Sequence, residues 1–189
     1  MKVIALTGPK GSGKDTAADF ICKYYTNVEK AAFADPIKHI VQHIFKLDSH
    51  SSREYDRLKR SNLSFEDPST QTTWRGINGR HVVREIGMLM RSYDEQQFNH
   101  YIQKAIIEAA ARRSSIFVVT DLRFDNEYIM LRRHGAKIVK IARPDYQYDG
   151  HITERGFDDH LIDYVIDNNG SLGAFEVNVM DVIDKIIKE

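Results

Sequence analysis

The feature that most limits how this chain can fold is the glycine-rich segment at residues 8–16, which reads GPKGSGKDT. It fits the pattern G-x-x-x-x-G-K and directly follows the apolar run at residues 2–7. Glycines let successive backbone N–H groups approach one polyphosphate, and the positive end of a following helix attracts the same anion. We therefore expect a strand, a phosphate-binding loop (the P-loop) and a helix that begins near Gly13.

The predicted residues for binding a nucleoside triphosphate share this loop or the first turn after it: Gly8, Lys10, Gly11, Ser12, Gly13, Lys14, Asp15 and Thr16. Lys14 supplies a mobile positive charge for the β- and γ-phosphates. The next position usually holds Ser or Thr, whose hydroxyl binds Mg²⁺, but here it is Asp15. Two roles stay open for the Asp15 carboxylate: it holds Mg²⁺ through a water molecule, or it anchors a nearby arginine.

The rest of the chain alternates between apolar runs and helical patterns. Five short runs predict buried strands, at residues 2–7, 29–33, 115–120, 136–142 and 163–167. Such alternation predicts an α/β three-layer sandwich, with a mostly parallel five-stranded sheet and helices on both faces. Together with the P-loop it predicts a fold of the P-loop NTPase type. Ligands of these sheets bind beyond the carboxyl ends of the strands.

Two segments do not follow this alternation. Residues 46–80 are polar, and residues 143–160 are rich in charge, Tyr and Gly. We expect one domain over residues 1–189, since this length suits one buried core and is short for two. Both segments are then irregular inserts over the ligand end of the sheet, and the alternative is solvated loops without a role.

Composition excludes several classes of protein. The 27 basic and 27 acidic side chains cancel, so no global field attracts nucleic acid or a membrane. The single cysteine, Cys22, excludes a disulfide framework and suits a reducing compartment. No stretch approaches the ~20 apolar residues that span a bilayer, and the first residues lack a secretory signal. We expect a cytoplasmic protein with a small-molecule substrate.

A second carboxylate follows an apolar strand. Residues 116–121 read IFVVTD, which is the form of a Walker B element, and a place beside the P-loop strand would bring Asp121 near Mg²⁺ and the γ-phosphate. The alternative for Asp121 is capping of the next helix. Arg123 follows closely, and phosphoryl transfer needs both an anion for the metal and a cationic clamp for the acceptor phosphate.

Five segments together resemble the phage and bacterial deoxynucleoside monophosphate kinases: GPKGSGKDTAA, FADPIKHI, REIGMLMR, TDLRFDNE and ITERGFDDHLIDYVIDNNGSL. The resemblance covers nearly the whole chain apart from roughly residues 46–80. A P-loop is common to many NTPases, whereas GKDT combined with D-x-R-F-x-N-E is far more specific. The resemblance implies transfer of the γ-phosphoryl group of ATP to a (deoxy)nucleoside monophosphate, with Mg²⁺ as cofactor, an acceptor-side insert at 46–80 and a lid at 143–160.

The resemblance also implies roles for individual residues. Lys14 and the loop amides would hold ATP, and Asp121 would organise Mg²⁺ or the acceptor. Arg123 and Arg91 would clamp the acceptor phosphate. Arg143 and Arg155 would lie on the ATP side, Arg155 within the lid-like stretch. Related enzymes are often dimers, so a homodimer is also implied.

Further substrate-binding candidates have ordinary structural explanations beside the functional ones. Asp35 precedes Pro36 at the expected start of a helix, where capping alone explains it, and contact of Asp35 or Lys38 with substrate is the alternative. Arg84 and Arg91 are seven residues apart on one helix face, so they either share a cleft or lie on a solvated surface. Gly87 between them suggests that another element approaches closely there.

Two other functions remain open from the sequence. One is a kinase for another small phosphorylated metabolite, such as dephospho-coenzyme A. The other is a regulatory P-loop NTPase that hydrolyses nucleotide to control a partner, although the chain lacks the base-reading motif N-K-x-D. A kinase that acts on nucleic-acid ends fits poorly with zero net charge and no basic stripe.

Overall fold

A computed structural model describes residues 1–44, 62–67, 72–143 and 156–189 of the chain. These residues divide into two compact units, one of Met1–Phe33 with Asn99–Glu189 and one of Ala34–Phe98. The single domain over residues 1–189 stays a prediction. The lid-like segment lies largely outside the described residues, and so does Arg155.

The described part of the chain contains seven strands and six α-helices, besides a short 3₁₀ helix at Asp159–Leu161. In chain order they are β1 (Lys2–Thr7), α1 (Lys14–Tyr24), β2 (Val28–Ala31), α2 (Asp35–Ile44), β3 (Asn62–Asp67), β4 (Thr72–Asn78), α3 (Gly79–Tyr93), α4 (Gln97–Ala111), β5 (Ile116–Val119), α5 (Asp125–Arg133), β6 (Lys137–Ala142), β7 (Tyr164–Asp167) and α6 (Leu172–Lys188).

The first unit is built on a five-stranded sheet in the order β2-β5-β1-β6-β7, and each neighbouring pair is parallel. The predicted α/β class and the five predicted strands are confirmed. The strand that carries the P-loop lies at the centre, between β5 and β6. All these strands therefore end at the same edge, which is where the loops that follow them meet.

Both faces of the sheet are covered. Ile4 and Leu6 of β1 belong to a buried cluster with residues of α1 and α6, among them Ile21 and Phe175. Successive side chains of a strand point to opposite faces, and Val3 and Ala5 are buried as well. Parallel strands buried on both faces explain why these segments are continuous apolar runs in the sequence.

The second unit corrects one prediction. Residues 46–80 were expected to be an irregular insert, but β3 and β4 pair as an antiparallel two-stranded sheet, with a register shift between Leu63 and Phe65. Strands of this kind alternate apolar and polar residues, so they lack the continuous apolar run that revealed the central strands. The expectation of an irregular segment was wrong for Asn62–Asp67 and Thr72–Asn78, while residues 46–61 and 68–71 lie outside the described part.

Within the same unit, α2 and α3 approach each other at Gly87. A Cβ atom at this position would lie 3.0 Å from Cδ1 of Ile37 on α2. The glycine in the middle of a helix is therefore explained by packing of one helix against the other, and the predicted close approach is confirmed. None of the helices that the structure describes is long and apolar enough to cross a membrane.

Candidate functional site

The P-loop joins β1 to α1 with a backbone that only glycine adopts comfortably. Gly8 has a φ of 136° and Gly13 a φ of 104°. A Cβ atom on Gly8 would lie 2.5 Å from the carbonyl oxygen of Ile141, and one on Gly13 would lie 2.6 Å from Nδ2 of Asn168. Both glycines are thus required by their φ angles and by the close approach of β6 and of the residue that follows β7.

Lys14 lies over its own loop. It is the first residue of α1, and only 8% of it is exposed. Its Nζ donates hydrogen bonds of 2.7 Å to the carbonyl oxygens of Gly8 and Pro9. Because a phosphate oxygen is charged and a carbonyl is not, an incoming phosphate competes well for this ammonium group.

Two other side chains hold the carbonyl groups of the same loop. Nη1 of Arg143 donates to the carbonyl oxygen of Gly11 at 2.9 Å, and Nδ2 of Asn168 donates to that of Ser12 at 2.7 Å. Arg143 directly follows β6, so the structure brings this predicted residue to the P-loop. Asn168 directly follows β7 and was not singled out from the sequence.

A cavity of about 470 Å³ opens beside the loop, which is a volume typical of small-molecule sites. Six of the predicted residues line it: Gly11, Gly13, Lys14, Asp15, Thr16 and Arg143. The cavity is also lined by residues 168–170 together with Leu172 and Phe175. The cavity therefore combines a cationic, glycine-rich end with a wall from the loop between β7 and α6.

Asp121 lies where β5 ends, next to the P-loop strand. The N–H of Leu122 donates to the carbonyl oxygen of Leu6 on β1, at 3.2 Å, so the segment stays paired with β1 beyond β5. Oδ1 of Asp121 accepts a hydrogen bond of 2.7 Å from the N–H of Phe33. The predicted place beside the P-loop strand is confirmed, and Asp121 does not cap α5, whose N-cap residue is Phe124.

Glu127 is the last residue of the D-x-R-F-x-N-E segment, and its side chain holds the backbone of that segment. Its carboxylate, on a residue only 1% exposed, accepts from the backbone N–H groups of Arg123 at 2.9 Å and Phe124 at 3.1 Å. It thereby fixes the backbone from which the half-buried Arg123 side chain emerges. Sequence reasoning did not assign Glu127 a role, although a glutamate three residues after an N-cap position is a known signal.

The remaining substrate-binding candidates belong to the second unit. Asp35 and Lys38 form an ion pair of 2.6 Å within the first turn of α2. The guanidinium carbon of Arg91 lies 4.6 Å from the ring centre of Phe98, a cation–π contact. Arg84 lies two turns before Arg91 on α3, and both are half-buried, so neither lies on a fully solvated face.

The arrangement of the acidic residues is compatible with binding of Mg²⁺ together with a substrate. No group of three or more His, Cys, Asp or Glu side chains that could hold a metal ion occurs in the residues described. Mg²⁺ rarely needs such a cage, because it is usually bound through one or two carboxylates together with the phosphates of a substrate. Asp15, a carboxylate in the wall of the P-loop cavity, fits this kind of coordination.

The central P-loop strand, the parallel sheet and the cavity beside Lys14 define a P-loop protein of the nucleotide-kinase class. The chain belongs to the deoxynucleotide monophosphate kinase family, whose model matches residues 2–98 and 87–179. It is accordingly a nucleotide kinase, a phosphotransferase, and the predicted resemblance is confirmed. This kinase family uses ATP as phosphate donor and a nucleotide as substrate.

Two relatives agree with this assignment, and one solved structure resembles the fold alone. The chain is 26% identical over 198 residues to a protein of Acanthamoeba polyphaga mimivirus provisionally named deoxynucleotide monophosphate kinase, which covers 97% of each chain. It is 25% identical over 228 residues to the deoxynucleotide monophosphate kinase of Enterobacteria phage T4, covering 91% of this chain and 94% of the phage protein. A dephospho-CoA kinase from Campylobacter jejuni shares the fold, with a TM-score of 0.55 at 16% identity, over 100% of this chain and 98% of that one.

Proposed function

We propose that the protein transfers the γ-phosphoryl group of ATP to a deoxynucleoside monophosphate and so produces the diphosphate and ADP. The observation that carries this proposal is the position of Lys14, with its ammonium group at the glycine-rich end of a cavity large enough for a nucleotide. In a member of this family, such a cavity is best explained as the ATP site.

The ATP phosphates would lie along the P-loop. Lys14 would exchange the carbonyl oxygens of Gly8 and Pro9 for phosphate oxygens, and the amide groups of the loop would donate to the same anion. Arg143 would stay at the cavity wall, where its guanidinium group adds positive charge beside Gly11. Thr16 lines the same cavity and would contact the α-phosphate.

Asp15 and Asp121 would hold Mg²⁺, directly or through water. When bound, the ion neutralises charge on the β- and γ-phosphates. The two carboxylates differ in their surroundings: Asp15 lies in the first turn of α1, whereas Asp121 is held at the end of β5 by Phe33. Asp121 would be the more rigid ligand, since the hydrogen bond from the N–H of Phe33 fixes its Oδ1 atom.

Transfer requires no covalent intermediate on the enzyme. The protein brings two phosphates into line and offsets the charge that develops between them. Arg123 and Arg91 would clamp the acceptor phosphate, because a planar guanidinium group pairs with phosphate through two hydrogen bonds. Glu127 would have an indirect role: its carboxylate holds the backbone N–H of Arg123 and would not contact the phosphates.

A single panel tests the proposal. The enzyme is incubated with γ-labelled ATP, Mg²⁺ and one acceptor at a time, either a common nucleoside or deoxynucleoside monophosphate or dephospho-coenzyme A, and the products are separated by chromatography. We expect label in a deoxynucleoside diphosphate. Label found only in free phosphate, with every acceptor and also without one, would instead indicate a regulatory NTPase. Label accepted by dephospho-coenzyme A alone would move the enzyme to another acceptor class.

A further inference from the structure

The loop between β7 and α6 is tied to the P-loop by one side chain. Nδ2 of Asn168 donates a 2.7 Å hydrogen bond to the carbonyl oxygen of Ser12, across 156 positions of sequence. A carbonyl oxygen only accepts hydrogen bonds, so the amide must present its NH₂ group to Ser12. The backbone N–H of Asn168 separately donates to the carbonyl oxygen of Ala142, at 2.9 Å, which fixes the residue independently of its side chain.

This contact also orients the N–H of Gly13, which belongs to the same peptide group as the carbonyl of Ser12. A trans peptide unit is planar, and its C=O and N–H point in opposite directions. When the carbonyl of Ser12 faces Asn168, the N–H of Gly13 points away from Asn168. The preceding peptide shows the same arrangement, since the carbonyl of Gly11 faces Arg143 while the N–H of Ser12 donates to Pro9.

The position of Gly13 leaves little freedom. A Cβ atom there would lie 2.6 Å from Nδ2 of Asn168 and 3.1 Å from the ring of Phe175, which is itself only 1% exposed. The loop at Gly13 is therefore backed by a buried ring, and the amide of Asn168 holds the carbonyl of Ser12 beside it. Removing that amide would free the peptide between Ser12 and Gly13 to rotate without opening the core.

We propose that Asn168 is a positioning residue for ATP: through the carbonyl of Ser12 it orients the Gly13 N–H group toward the phosphates. This inference rests on the proposed use of the P-loop as the ATP site. It adds a residue that touches no reacting atom and acts on the affinity for the donor, not on the acceptor.

The test compares ATP affinity by isothermal titration without an acceptor at pH 8, always relative to the wild-type enzyme. Asn168→Ala loses the donor and should weaken ATP binding roughly tenfold, the scale of one net hydrogen bond. Asn168→Asp keeps the shape but places a carboxylate against the carbonyl of Ser12, so we expect at least the same loss.

Asn178 supplies a matched control. Its Nδ2 donates a 3.0 Å hydrogen bond to the carbonyl oxygen of Asp167, which also ties α6 to the end of β7 but does not reach the P-loop. Asn178→Ala should therefore bind ATP like the wild-type protein. In steady-state kinetics, Asn168→Ala should raise the KM for ATP more than the KM for the monophosphate.

The outcomes separate the two proposals. Normal ATP binding by the wild type and by both Asn168 variants would overturn the positioning role alone, as would a loss in Asn168→Ala that Asn178→Ala shares. A wild-type protein that binds no ATP would overturn both. Because the binding measurement needs no acceptor, a wrong assignment of the acceptor would leave its result unchanged.

Discussion

The backbone N–H of Phe33 donates a 2.7 Å hydrogen bond to Oδ1 of Asp121, and so joins the segment after β2 to the end of β5. The aspartate that the sequence marks as a metal-side carboxylate thus also holds the backbone together. Oδ1 is committed to a structural contact, and the charge of the carboxylate is placed at the edge of the sheet where the P-loop begins.

Substitutions can separate these two tasks of Asp121. Asp121→Asn keeps a carbonyl oxygen for Phe33 but removes the charge, so the protein should stay folded while kcat falls and the Mg²⁺ requirement rises. Asp121→Ala removes both and should also lower the melting temperature. Asp15→Ser should be milder, since it restores the hydroxyl found at this place in most P-loops.

Magnesium titrations of the variants give the measurement. If Asp15→Ser were inactive and Asp121→Asn active with normal Mg²⁺ dependence, the roles of the two carboxylates would be reversed.

Replacement of Lys14 tests the P-loop itself. The ammonium group contacts carbonyls of the loop and belongs to no apolar cluster, so Lys14→Ala should fold but lose roughly 10²-fold or more in kcat. Lys23 on the same helix is a matched control, because it pairs with Glu176 on the surface and does not contact the loop. Lys23→Ala should keep normal turnover, and near-normal turnover of a folded Lys14→Ala protein would disprove the proposed phosphate site.

The sequence revealed those parts of the molecule that local patterns encode. The P-loop, the central strands and the helix after the loop follow from runs of neighbouring residues, each buried on both sides or shaped by glycine. The order β2-β5-β1-β6-β7 does not follow from chain order, because it depends on packing between distant segments. The antiparallel pair of β3 and β4 was missed because strands that alternate polar and apolar residues look like a loop in a polar context.

The same limit applies to the site. Lys14 and Asp15 could be predicted because the P-loop motif marks them, and Arg143 was implied by the family resemblance. The structure gathers all three around one cavity. Asn168 could not, because its partner Ser12 is 156 positions away and no local pattern records that contact. The roles of Arg84, Arg91 and Arg123 as acceptor contacts stay predictions.

The acid stability of the protein should depend on Glu29. Its carboxylate accepts hydrogen bonds from Arg112, at 3.0 Å and 2.5 Å, and from the hydroxyl of Ser114. These contacts, that of Arg112 foremost, lower the pKa of Glu29 from 4.5 to about 2. A folded-state pKa below the unfolded value means that the stabilisation is complete above pH 4.5 and is lost as the pH falls toward 2.

Melting temperatures of the wild-type and Glu29→Gln proteins between pH 6 and pH 2 test this. We expect the wild type to be the more stable at pH 6 and the difference to shrink as the pH falls from 4.5 to 2. High salt should reduce the difference, since the pair is partly exposed. A difference that stays constant over this range would show that the charge of Glu29 does not contribute.

The last prediction concerns the acceptor phosphate. A monophosphate carries close to two negative charges near neutrality, and a guanidinium group binds it through two parallel hydrogen bonds, whereas an ammonium group does not. Arg123→Lys and Arg91→Lys should therefore raise the KM for the monophosphate more than the KM for ATP, and kcat should fall too if the arginines stabilise the moving phosphoryl group. Arg113 is an exposed arginine with a φ of 61°, and Arg113→Lys should change neither constant. Two-substrate kinetics of the three variants decide the matter: damage confined to the ATP constants would place these arginines at the donor, and the acceptor site would have to be sought elsewhere.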